Sequence, residues 1–229
     1  VQLDFASFRN DRRSQQALAT LARRASADLD YKASIEEVGF RELVAVDLFE
    51  ETDRKIIADL ARAVTEQTVT AREVAEVVRA RQSSVWIDGY RQLYTAIAAA
   101  ADLLSELSMI DFTFSTFDEA LERYRSEWFR IDQLYRQFTY ARRTFEGPHP
   151  LEPLREQVEK RYTNKFVYEL GNAWQKQVDE AESWRSATVR SQRSFYGDYV
   201  EQLVREDKKA VVIVSDALRY EVAEELGSR

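Results

Sequence analysis

The sequence has no cysteine, only three prolines, six glycines and a single histidine, and each scarcity removes a class of protein. Without cysteine there are no disulfides and no thiolate zinc sites, which fits the reducing cytoplasm where the chain is expected to reside. The lone histidine, His149, has no second histidine or cysteine with which to ligate a metal. Held between Pro148 and Pro150, it reads as an exposed turn residue. With helix breakers so few, and the prolines gathered at Pro148, Pro150 and Pro153, the chain reads as long uninterrupted helices. No run reaches the roughly eighteen uncharged apolar residues of a membrane span, the richest being the short, alanine-heavy Ile97 to Leu104. No membrane partner is therefore expected. The motifs GxxxxGK[ST], GxGxxG, HExxH and GxSxG are all missing. The start, Val-Gln-Leu-Asp-Phe, has neither an initiator methionine nor a signal-peptide pattern and looks cut from something longer.

A net charge of -7 gives the average surface no attraction for nucleic acid. Local basic pairs occur at Arg12-Arg13, Arg23-Arg24, Arg142-Arg143 and Lys208-Lys209. Their acidic neighbours make them solvated helix faces first, and nucleic-acid binding through them is the least supported functional reading.

Apolar spacing then places the helices. From about Phe8 to Leu29, Leu18, Leu21, Ala22, Ala25 and Leu29 form one stripe opposite an arginine-rich face. Ser34-Ile-Glu-Glu37 and Thr70-Ala-Arg-Glu73 both have capping-box form, and Thr52 precedes a helix carrying Ile56, Ile57, Leu60 and Val64. From Ser84 the pattern lengthens, with Trp86, Tyr90, Leu93, Tyr94, Ile97, Ala101, Leu104 and Leu107 on one face. Ser115-Thr-Phe-Asp118 is read as the cap of a helix with the aromatic stripe Tyr124, Trp128, Ile131, Tyr135 and Phe138, a core face rather than a base-stacking platform. After the break at Glu146-Gly-Pro-His-Pro150, a second long helix runs through Leu154, Val158, Tyr162, Phe166, Leu170, Trp174 and Val178. The two are expected to pair as an antiparallel hairpin. After Trp184 a last helix carries Val189, Phe195, Tyr196, Tyr199, Val200 and Leu203.

Only Lys208 to Glu221 breaks the helical pattern. Ala210-Val-Val-Ile-Val214 is an unbroken apolar, β-branched run of the kind found in strands covered on both faces, followed by Ser215, Asp216 and a helical repeat at Leu218, Val222 and Leu226. Asp216 falls just past the strand's carboxyl end, where open α/β sheets build their sites, and is a natural hard ligand for a metal or acceptor for a substrate. The expected fold is thus mainly α: a multi-helix bundle with long antiparallel helices, followed by one β-strand and a short helix that begin a truncated α/β domain. Its expected divisions are an N-terminal helical region (1–146), a helical hairpin arm with a connecting helix (147–207), and the start of the α/β domain (208–229). A lone strand cannot satisfy its own backbone groups, so the remainder of its sheet is expected to lie beyond the chain.

Ser194-Phe-Tyr-Gly-Asp-Tyr-Val200 together with Val212-Ile-Val-Ser-Asp-Ala-Leu-Arg-Tyr-Glu-Val-Ala-Glu-Glu-Leu226 closely resembles the opening of the phosphatase domain in the PglZ family, the alkaline phosphatase-like component of BREX bacteriophage-defence systems. The resemblance covers about residues 190 to 227, and the aromatic-rich helices before it are similar to the family's N-terminal region. It implies a metal-dependent phosphatase or phosphodiesterase in the full-length protein, with a divalent ion, zinc by family habit, held in part by Asp216. The family's nucleophile and remaining ligands lie downstream of Arg229, so this piece is expected to be catalytically inactive and to carry no metal. Ser215 is read as a strand-end cap rather than a nucleophile. Arg219 is a candidate contact to phosphate or to a carboxylate, and Tyr220 and Glu221 are expected to dock the helix. Other BREX proteins are the expected partners, and docking them through the helical region is the alternative function.

Overall fold

The computed structural model describes residues 14–147, 150–181 and 185–229. His149 lies outside the described residues, as do Phe8 and the pair Arg12-Arg13. Among the described residues all the regular structure is helical. Its elements are α1 (Gln15–Asp28), α2 (Tyr31–Ser34), α3 (Phe40–Leu43), α4 (Glu50–Thr65), α5 (Ala71–Arg81), α6 (Ile87–Met109), α7 (Phe117–Arg123), α8 (Phe129–Thr144), α9 (Glu152–Arg161), α10 (Glu169–Glu180), α11 (Glu201–Arg205) and α12 (Tyr220–Gly227). Two π-helical turns, Tyr124–Trp128 and Tyr162–Tyr168, carry α7 into α8 and α9 into α10, so each pair runs on without a break.

The chain forms two compact units, residues 1–109 with 134–162, and residues 110–133 with 163–229. In the first, α4, α5, α6 and α9 pack together. Their three-and-four spacing delivers Ile56, Ile57, Leu60, Val74, Leu93, Ile97, Leu103, Leu154 and Val158 to one core, none more than 1% exposed. The alanines Ala96, Ala99, Ala100 and Ala101 are all buried on α6, which lets its neighbours approach closely. The hairpin of α8 with α9 forms as the spacing predicts. Tyr135 stacks flat on Tyr162 with ring centroids 3.8 Å apart, and its hydroxyl donates to Glu159 at 3.1 Å.

One polar cluster crosses this core. The Arg81 guanidinium, 1% exposed, grips the fully buried Asp53 carboxylate with two bonds, Nε to Oδ1 at 3.0 Å and Nη2 to Oδ2 at 2.7 Å. Its Nη1 donates to the carbonyls of Val44 and Val46, and its Nη2 also donates to Ser84 Oγ. Ser84 and Tyr94 complete the carboxylate's shell, donating at 2.8 and 2.5 Å. Burial raises the Tyr94 phenol far above its ordinary value, and the adjacent Asp53 charge raises it further. Tyr90, held between Arg54 and Glu50, is pushed up to about 12, chiefly by burial.

The second unit is built on rings. Phe112 meets Trp128 and Phe166 at 5.5 and 5.8 Å, and Trp174 on α10 meets Phe114 and Phe117 at 6.4 and 5.0 Å. Arg123 lies over the Trp128 ring at 4.9 Å and donates to the carbonyls of Asp111 and Thr113, closing the turn that leads into α7.

Several local expectations need correction. The cap of α7 is Thr116, not Ser115: Thr116 Oγ1 accepts the Glu119 amide, while Glu119 accepts the Ser115 amide at 2.8 Å. The reciprocal box is therefore set one residue later. Ser34 ends a helix instead of starting one, its hydroxyl donating to the Tyr31 carbonyl, because Gly39 resets the chain and starts α3. Thr52 lies inside α4, fully buried, with its hydroxyl 3.0 Å from the Tyr31 hydroxyl. Thr70 does cap α5 as the box predicts. The last helix is split into a 3-10 turn (Gln192–Ser194), a π-helical turn (Tyr196–Val200) and α11.

The strand is the largest departure. Residues 210–215 have no regular structure, and no strand occurs among the described residues. Val211, Ile213 and Val214 are 84–88% exposed. A strand is defined by its ladder, and among the described residues no strand is present to exchange hydrogen bonds with this one.

Replacing Arg81 with alanine strands the Asp53 charge in the core, and unfolding should become easier by about 3–5 kcal/mol, read by urea denaturation. The raised phenols give a pH signature as well. The folded protein keeps the Tyr90 and Tyr94 protons after the unfolded chain has lost them near pH 10. Stability should be full below about pH 10 and fall as the pH rises from there through about 12. Tyr94→Phe should make that alkaline slope shallower.

Candidate functional site

The signature segment lies in the second unit, and the structure divides it into a free half and a docked half. Ser215 and Asp216 are exposed, at the end of the unpaired apolar run, with Asp216 in a turn. Three residues later Arg219 becomes the N-cap of α12, with extended backbone angles, and its carbonyl accepts the amides of Val222 and Ala223. From Arg219 onward the chain is anchored.

The anchor is part charge and part ring. Arg219 Nη2 donates to Asp132 Oδ1 at 3.0 Å, and Arg219 Nε lies 2.9 Å from Glu221 Oε1. Asp132 is 7% exposed and Glu221 0%, so one half-exposed guanidinium faces two buried carboxylates. Tyr124 donates its hydroxyl to Asp132 Oδ2 at 2.7 Å. Burial and then this carboxylate raise the Tyr124 phenol well above its ordinary range. Neither Glu221 oxygen has a hydrogen bond; the Arg219 contact is an ion pair whose N–H is not aimed along the bond. Beside it the Tyr220 ring sits edge-on to both Tyr124 and Phe129, at 5.9 and 5.6 Å. The Tyr220 hydroxyl reaches the Arg125 carbonyl at 3.4 Å, within the π-helical turn. Tyr220 and Glu221 thus hold α12 on helices, in a region where the sequence led us to expect a sheet.

What the arrangement can do chemically is limited by its ligands. A divalent ion needs several oxygen or nitrogen donors converging on it. Among the described residues no group of three or more His, Cys, Asp or Glu side chains converges in that way. Asp216 stands alone in solvent, so the residues present do not by themselves fit a metal centre. Asp132 was not legible as part of the site, because it reads as one polar position on an aromatic helix and meets Arg219 from 87 residues away. In each basic pair within the described residues, one member is tied to an acidic partner. Arg23 is paired with Glu50 at 2.9 Å, Arg142 with Glu152 at 3.8 Å and Lys208 with Glu206 at 2.6 Å. No helix among the described residues is long and apolar enough to cross a membrane.

Sequence comparison extends these observations beyond the signature. The chain is 32% identical over 243 aligned residues to the alkaline phosphatase-like protein BrxZ of Escherichia coli O9:H4 (strain HS), covering 97% of this chain and 27% of that protein. It is 27% identical over 225 residues to the alkaline phosphatase-like protein PglZ of Bacillus cereus (strain H3081.97), covering 96% of this chain and 26% of the relative. The chain therefore spans about a quarter of the length of these curated relatives. No family model matches, and no solved structure matches.

If the rings carry the docking, Tyr220→Ala should release α12. Two edge-to-face pairs are lost, worth about 1–3 kcal/mol together, and amide exchange over 220–227 should speed up by about tenfold or more. Exchange in α4 and α6 should not change.

Proposed function

Because this chain belongs to the PglZ family, we propose that it is the helical region, and the first element of the phosphatase domain, of a cytoplasmic BREX bacteriophage-defence protein. The full-length form is proposed to be a metal-dependent phosphatase or phosphodiesterase. The observation that carries this reading is the match over nearly all of this chain to two alkaline phosphatase-like proteins. The exposed Val211 to Val214 run supports it physically. Three of its side chains are 84–88% exposed, and a parallel sheet is the setting in which such a run is covered on both faces.

On this reading Asp216 is one of several ligands, zinc is the ion by family habit, and the nucleophile and other ligands come from outside residues 1–229. When bound, such an ion would neutralise phosphoryl oxygens and activate the nucleophile. What this chain contributes is position: Arg219, Tyr220 and Glu221 tie the end of the Asp216 turn to the helical region. The piece alone is proposed to be inactive. The second reading, a helical assembly module for other BREX proteins, is favoured by Leu21 and Leu29. These belong to the apolar stripe of α1, whose Leu18 and Ala22 are buried, yet they are 57% and 68% exposed.

The test is Asp216→Ala in the full-length protein. Bound metal should be lost, and phosphoester hydrolysis should fall by about 10²–10³-fold, the scale on which removing one stabiliser of transition-state charge acts. Unchanged metal content and rate would sink the assignment. For the second reading, Leu21→Asp together with Leu29→Asp should abolish capture of other BREX proteins while leaving hydrolysis intact.

A further inference from the structure

No residue from 187 to 220 is buried, although the helical pieces that follow one another from Gln192 to Arg205 fall inside this stretch. Phe195, Tyr196, Tyr199, Val200, Leu203 and Val204 recur there at alternating steps of one and three, which puts them on one side of a helix. Asp198, Glu201, Gln202 and Arg205 fall on the other side. The polar side satisfies itself: Ser194 donates to Asp198 at 2.6 Å, Arg205 holds Glu201 at 2.7 Å and Gln202 donates to Glu206 at 2.8 Å. The apolar side is open to solvent. Phe195 and Tyr199 touch along it, with ring centroids 5.4 Å apart, yet Phe195, Tyr196, Tyr199 and Val204 are all 44–60% exposed. An isolated helix of about 12–15 residues is marginal in water, and what secures such helices in proteins is the packing of their apolar face.

The way this helix ends indicates what covers it. Asp207 takes a left-handed conformation, φ 55°; its amide donates to the Val204 carbonyl at 3.1 Å, and the Lys208 amide donates to the Leu203 carbonyl at 2.8 Å. This paired closure fixes the turn out of the helix. Residues 206–210 then lead to the exposed run Val211 to Val214, and residues 215–219 lead from the run to α12. Helix, short link, β-branched run, short link and helix is the order of an α/β layer, in which links run about 2–6 residues and helices lie on the faces of the sheet. A run that is apolar at successive positions needs cover on both faces. While α12 is already seated on Tyr124 and Phe129 through Tyr220, the 192–205 helix has its apolar side open.

We propose that the stripe from Phe195 to Val204 lies on a face of the same β-sheet that takes in Val211 to Val214, a sheet supplied by the same polypeptide outside residues 1–229. This rests on the reading of the chain as the start of a phosphatase domain, and about three-quarters of the length of each relative lies outside the match. The 192–205 helix is then a layer of that domain and not an arm for binding other proteins.

Hydrogen exchange in the full-length protein tests the proposal. Amides over 195–204 and over 211–214 should both exchange about a hundredfold or more slowly than in an unfolded chain. Tyr199→Gln together with Val204→Gln removes apolar surface while keeping a good helix former at 204. It should speed exchange in both segments by about tenfold or more and leave α4 and α6 unchanged. Gln202→Ala, on the polar side, should leave both segments within about twofold. Fast exchange over 195–204 beside a protected 211–214 would overturn this inference and leave the sheet standing, whereas fast exchange in both would overturn the phosphatase-domain reading as well. If the double variant leaves exchange at 211–214 unchanged and instead splits a dimer or abolishes capture of another BREX protein, the stripe is an interface between chains and the proposal fails.

Discussion

A carboxylate buried beyond the reach of water must be surrounded by donors, and the first unit is arranged so that Asp53 is. Arg81 from α5, Ser84 from the turn after it and Tyr94 from α6 all bond this one side chain of α4. Through the same guanidinium, the carbonyls of Val44 and Val46 are drawn onto the cluster. A methyl group in a core slides past its neighbours at little cost. Four hydrogen bonds on one carboxylate do not. Apolar packing drives these helices together; the cluster selects the rotation and rise at which they stop. Its net worth against an apolar replacement is small, since desolvation offsets most of the Coulombic attraction.

The second unit handles the same problem less completely. There, one guanidinium faces Asp132 and Glu221, Tyr124 supplies a hydroxyl to Asp132, and both Glu221 oxygens go without a hydrogen bond. Aromatic packing carries more of the load, through Phe112, Trp128, Phe166 and Trp174 and then through Tyr220 against Tyr124 and Phe129. Ring contacts tolerate small rotations that a bidentate ion pair does not. The two designs therefore predict different mechanics for α4 and α12, with the first locked in register and the second held by an anchor that a single ring can release.

How much of this was readable in advance follows from the range of each interaction. The helices were legible because burial recurs every three or four residues. The apolar faces through Ile56 to Val64 and Leu93 to Leu107 are buried as the spacing implied. The Thr70 cap was legible because its partner is three residues away, and the Thr116 cap was displaced by one because Ser115 and Thr116 compete for the same role. Nothing local marks Asp53 for Arg81, 28 residues on, or Asp132 for Arg219, 87 residues on. At those positions a buried charge reads like an exposed one. The family was legible from the signature around Asp216 because that stretch is long and specific, whereas its chemistry was not, since one carboxylate makes no site.

The apolar run after Lys209 misled the fold reading for a reason that bears on its role. Local propensity favours a strand at Val211 to Val214, and all four residues are β-branched. Propensity sets only the preference for an extended backbone; the ladder needs a neighbour, and the described residues include no strand to provide one. Burying a single valine or isoleucine side chain is worth about 1.5–3 kcal/mol. Covering Val211, Ile213 and Val214, now almost fully exposed, would therefore release about 5–9 kcal/mol on the same scale. That is comparable with the whole stability of a small domain, about 5–15 kcal/mol. Any sheet edge able to accept this segment has that much driving force behind the pairing. The pairing also sets where Asp216 goes: with α12 held at Arg219 and the run fixed in a ladder, the turn between them would be constrained at both ends.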